Sequence, residues 1–178
     1  RIEAEKSRLE KDYAVKINKE SAPRFLKRAE YAYRIFNFED AVNFCHSAVE
    51  LDPSLKNAWR LKGELHFIAQ EFKAALDAFS KTAVNAALIE LCKKYTKIKP
   101  DDKLKLKVPQ YLELFKACIR AGLKPQVAGL LHSSAYSNID IEQRIDVCRG
   151  ILTIHNKLDT IHFQYDETTR SLDIIEYC

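Results

Sequence analysis

The chain has 178 residues, of which 30% are charged, a net charge of +4, and only 4 Gly and 5 Pro. So few turn formers exclude a turn-rich all-β protein, and the abundance of Leu, Ala, Lys and Glu favours helix. No run of 18 apolar residues occurs and no secretory leader opens the sequence, so neither a membrane-spanning helix nor a membrane partner is expected.

The chain begins at Arg1 and contains no Met, so it reads as a piece of a larger intracellular protein, cytoplasmic or nuclear. Residues 1–20 read as a charged N-terminal helix whose thin apolar stripe is Ile2, Leu9, Tyr13 and Ile17. Ser21 and Pro23 read as the cap and first turn of a new helix running to about Phe36, where Asn37 breaks it. A second helix spans about 38–51 and stops at Asp52-Pro53, because proline keeps Asp52 out of the helical region. The pair recurs at 56–69 and 72–85, with a break near Gln70-Glu71.

Residues 22–55 overlay on 56–89 at an offset of 34. Phe25 falls on Trp59, Ala29 on Gly63, Phe38 on Phe72, Ala41 on Ala75, Cys45 on Phe79 and Ala48 on Thr82. A repeat that keeps bulky and small residues in phase marks a supersecondary unit that must stack on a neighbour. A fifth helix at about 85–97 carries Leu88, Leu91, Cys92 and Tyr95 on one face and is suited to capping the stack.

A basic linker follows at 99–108, and then a helical extension at 109–178. The extension holds a helical hairpin at 109–121 and 125–133 turned at Gly122, and a helix over 139–156. The alternation of Ile161, Phe163 and Tyr165, then Leu172, Ile174 and Glu176, suggests a terminal β-hairpin.

In these residues the two units resemble the tetratricopeptide repeat (TPR) family, whose unit is two antiparallel helices in 34 residues. Trp59, Gly63, Phe72, Ala75 and Phe79 match one copy, and Phe25, Ala29, Phe38, Ala41, Ala48 and Pro53 the other. Arg28 and Lys62 stand where the family prefers leucine, and no third copy follows. The resemblance implies an all-α, TPR-like helical-repeat solenoid over 21–98 whose first helices line a groove for a partner peptide or helix. It places Leu26, Glu30, Tyr33, Arg34, Asn57, Arg60, Glu64, Phe67 and Ile68 in that groove. TPR co-chaperones hold a peptide carboxylate with asparagines, and this chain has Glu30 and Glu64 at the matching positions. An apolar peptide or one with a basic residue suits those acids better.

Lys93, Lys94, Lys97, Lys99, Lys103, Lys105 and Lys107 form a basic cluster; the segment 93–107, which also holds Asp101 and Asp102, is net +5, and without it the remaining chain is near −1. Such a cluster is a solvated linker or a phosphate contact, so nucleic acid is an alternative partner. LFKACIRAGLKPQ resembles one copy of the pentatricopeptide repeat of RNA-binding solenoids.

Catalysis has no support: there is no glycine-rich phosphate loop, GxSxG or HExxH, and no catalytic residue or cofactor is expected. The five cysteines (Cys45, Cys92, Cys118, Cys148, Cys178) include no CxxC and read as reduced thiols. Cys148 and His155 lie two helical turns apart, but no second pair of ligands has metal spacing, so no metal is expected. The sequence thus reads as a non-enzymatic protein–protein interaction scaffold. RNA association and homo-oligomerisation are the alternatives.

Overall fold

Apolar residues recurring every three to four positions close into helices along most of the chain. The computed structural model describes residues 2–97, 106–133, 136, 139–154, 161–166 and 171–177; at 2–12, 14, 108, 146, 150–154 and in both strands it describes the backbone alone. In order these residues form α1 (Ile2–Arg34), α2 (Phe38–Leu51), α3 (Lys56–Ile68), α4 (Phe72–Phe79), α5 (Ala86–Thr96), α6 (Val108–Arg120), α7 (Lys124–Leu131) and α8 (Ile141–Ile154). Strands β1 (Ile161–Asp166) and β2 (Ser171–Tyr177) follow and pair antiparallel, with a register shift between His162 and Phe163. Positions 167–170, where the sequence suggests a turn, lie outside the described residues. No described helix is long and apolar enough to cross a membrane.

Two expectations are corrected. Ser21 and Pro23 do not start a helix; α1 runs unbroken from Ile2 to Arg34 with Pro23 inside it. Proline removes the bond to the Lys19 carbonyl, which is tolerable because residues 15–20 are exposed to water. The helix expected at 72–85 stops at Phe79. There the main chain tightens into i→i−3 bonds, Lys81 to Ala78 (3.1 Å) and Thr82 to Phe79 (3.2 Å), and Asn85 caps α5 by accepting from the Ala87 N–H (2.9 Å).

The fold divides into two compact units. The first, Arg1–Leu65 with Asp77–Val84, has a core of small side chains. Ala29, Ala41, Cys45, Ala48 and Ala58 are fully buried beside Leu61 and Leu65. Gly63 belongs to this packing, since a Cβ there would run into the Phe79 ring. The two repeat copies differ in a compensating way: Ala29 and Cys45 fill the positions held by Gly63 and Phe79. A larger ring on the second helix needs the smallest residue on the first. The Trp59 indole N–H donates to the Pro53 carbonyl (2.8 Å), and Asp52 accepts from Ser54 Oγ (2.6 Å), so the loop between α2 and α3 is tied at both ends.

The second unit, His66–Leu76 with Asn85–Cys178, is built on larger side chains. Tyr111 and Phe115 pack edge to face at 5.0 Å, Phe72 packs on Tyr95 at 5.4 Å, and Gly129 leaves room for Ile68. The Tyr111 hydroxyl, deeply buried, donates to the Leu130 carbonyl (2.7 Å) and lies 3.0 Å from Ser133 Oγ. That bond ties α6 to the end of α7. Gly122 (φ 68°) supplies the left-handed residue that ends α6.

The repeat shows in the backbone itself. Phe36 (φ 58°) and Gln70 (φ 60°), residues that rarely take positive φ, stand 34 apart. Each ends its helix with the same pair of bonds: Phe36 N–H to Tyr33 O with Asn37 N–H to Ala32 O, and Gln70 N–H to Phe67 O with Glu71 N–H to His66 O. These are Schellman endings, in which the left-handed residue lets the chain reverse and the freed carbonyls find donors. Burial also agrees at most paired positions: Ala29 and Gly63, Ala41 and Ala75, and Cys45 and Phe79 are all buried.

Candidate partner-binding surface

The groove residues expected from the sequence divide by burial. In the first unit, Arg34, Asn57 and Arg60 are exposed, Glu30, Tyr33 and Glu64 are half-buried, and Leu26 is a core residue. In the second unit, Phe67 and Ile68 are 0% and 2% exposed; Phe67 packs edge to face on Phe72 at 5.6 Å. Leu26, Phe67 and Ile68 therefore offer no side-chain surface to a partner. The surface that remains in the first unit is polar and acidic at its half-buried level.

Its electrostatics centre on Glu64. Burial raises this carboxyl above its ordinary range, and the Arg60 guanidinium at 3.9 Å, itself half in water, lowers it only in part. Tyr33, resting edge-on against Phe38 at 6.1 Å, holds its proton firmly because of burial and the nearby Glu64 charge. Burial pushes the Cys45 thiol up to about 12, with Lys62 opposing and the Glu30 and Glu64 charges adding to it. Glu30 and Glu64 thus share one electrostatic environment. Arg34 turns its Nε–H to the Glu30 main-chain carbonyl (3.4 Å).

Of the basic cluster, Lys93, Lys94, Lys97 and Lys107 are exposed, and Lys99, Lys103 and Lys105 lie outside the described residues. Lys93 pairs with Glu90 (2.9 Å), and Lys94 lies 5.4 Å from the Tyr95 ring centre. Cys45, Cys92, Cys118 and Cys148 are buried free thiols; burial raises Cys92 and Cys118 to about 12 as well. Thiols held protonated in a core are poor nucleophiles. Among the described residues no group of three or more His, Cys, Asp or Glu is placed to hold a metal; Cys178 and His155 lie outside them.

One surface escapes the sequence reading. Every large apolar side chain that is exposed among the described residues lies on α1 or the turn after it: Tyr13, Val15, Ile17, Tyr31, Ile35 and Phe36. A cleft of about 380 Å³ opens there, lined by Lys27, Arg28, Tyr31, Ile35, Asp40 and Phe44, with the Arg28 guanidinium 5.7 Å from the Phe44 ring centre. The stripe of Tyr13 and Ile17 continues past Pro23 at the same helical period, which is the signal that would have found it.

Compared with family models, curated proteins and solved structures, the chain matches none of them.

Proposed function

We propose that the chain is a non-enzymatic binding module in which a TPR-like helical repeat captures a peptide or helix of a partner protein through a basic residue. The observation that carries this reading is Glu64, a half-buried carboxylate whose charge Arg60 offsets only in part. A lysine or arginine brought to Glu64 and Glu30 would complete the compensation that folding leaves unfinished. Tyr33 beside them offers an aromatic face and a hydroxyl that keeps its proton. A solenoid arrangement of the two repeats and a closing hairpin at the C-terminus belong to the same proposal, as does residence inside the cell.

Calorimetric titration of the chain with peptides selected from a random display library tests it. Binders should be enriched in Lys or Arg flanked by apolar residues, and Glu64→Lys should weaken them by about tenfold or more. Affinity that survives Glu64→Lys sinks the groove assignment. Binding of single-stranded RNA that falls steeply as salt rises, together with no peptide capture, would put the basic cluster in its place.

A further inference from the structure

The charges around the cleft of about 380 Å³ do not cancel. Tyr31 and Ile35 of α1 and Phe44 of α2 give it apolar walls. On α1, Lys27 and Arg28 precede Tyr31 by about one turn and Ile35 by about two, so charge and apolar surface follow one another over about 12 Å. Asp40, the carboxylate in the same cleft, is engaged in the cap of α2. It accepts from the Asn37 side-chain amide (2.8 Å), and its own N–H donates to Asn37 Oδ1 (3.2 Å). It also stands in the first turn of α2, where the helix dipole favours a negative charge. Lys27 and Arg28 form no ion pair among the described residues. Instead the Arg28 guanidinium lies 5.7 Å from the Phe44 ring centre, and Phe44 rests on Phe25 at 6.5 Å. A guanidinium held on a ring keeps its planar fork in one orientation, and that fork matches a carboxylate.

We propose that this cleft is a second binding site, which takes a segment of a partner protein where a bulky apolar residue stands within a turn of Asp or Glu. The apolar side chain fills the space between Tyr31, Ile35 and Phe44, and the carboxylate reaches Arg28 and Lys27. Single-stranded nucleic acid also suits cations and rings, but its successive phosphates would run from Lys27 and Arg28 onto Asp40, and Ile35 offers a base no π-face. A peptide with one carboxylate to place meets neither obstacle. The cleft calls for a charge opposite to the one that suits Glu64, so the two sites select different ligands.

Panning a random peptide display library on the full chain tests the site. A class of binders should emerge in which Leu, Phe or Trp lies within about four residues of Asp or Glu. One such peptide, fluorescently labelled, is then titrated by anisotropy. Lys27→Glu combined with Arg28→Glu should weaken it by about tenfold or more, and Ile35→Ser by about fivefold. All three side chains are exposed, and unchanged thermal unfolding shows that the variants fold. Glu64→Lys should leave this affinity as it is, so failure here and failure of the Glu64 site are read separately. The absence of an acidic class overturns the proposal, and so does binding that ignores both the charge changes and Ile35→Ser. An oligouridylate of about twelve nucleotides that binds in the peptide's place, and is lost with the same charge changes, overturns it as well.

Discussion

At the scale of single residues, Glu64 is where the chain stores an electrostatic cost. Its folded-state pKa lies above the ordinary 4.5, so the native state binds this proton more tightly than the unfolded chain does. The stabilising contribution is complete below pH 4.5 and is lost as pH rises through the folded value. Glu64→Gln should therefore raise the urea midpoint at pH 7 and leave it unchanged near pH 4. Equal effects at both pH values would mean that the charge is not the cause. Residues such as Ala29, Gly63 and Cys45 were legible because size alone in a repeat register marks them as packing positions. Phe67 and Ile68 were not, because the register places them on the first helix of a unit without saying which neighbour covers them. Ile68 is covered through the absence of a side chain at Gly129, far along the chain, which no local pattern reports.

At the scale of elements, helix endings were more legible than helix beginnings. Asn37, Asp52-Pro53, Gln70-Glu71 and Gly122 all mark real ends, since a left-handed residue or a proline stops a helix for local reasons. Ser21 and Pro23 misled for the same locality: a serine and a proline suit a first turn equally well when the helix before them simply continues. Gln70 makes the sharpest test. It holds φ 60° without being glycine, and its buried side-chain Oε1 finds no hydrogen-bond partner among the described residues. Gln70→Gly removes both penalties, about 1 kcal/mol for the left-handed backbone and a similar amount for the orphaned carbonyl, against about 0.5–1 kcal/mol of added chain entropy. The expected result is a melting temperature raised by about 2–4 °C in calorimetry. A lower one would show that the packing of the Gln70 side chain outweighs its penalties.

At the scale of the whole molecule, the helical class was legible from composition and period, and the 34-residue repeat reappears as two identical helix endings. What the sequence left hidden is the outer face of α1, because an exposed stripe and a buried one share the same period and differ only in what lies opposite. Pro23 gives that helix one more property. The hydrogen bond it deletes separates a core-packed segment from one whose described side chains, at 13 and 15–20, all face solvent. Amide deuteration should register the seam: protons after Pro23 exchange only with global opening, and those before it through a local event of much smaller free energy. The proline then works as a boundary between a half of the helix that the core protects and a half whose described side chains are left to solvent.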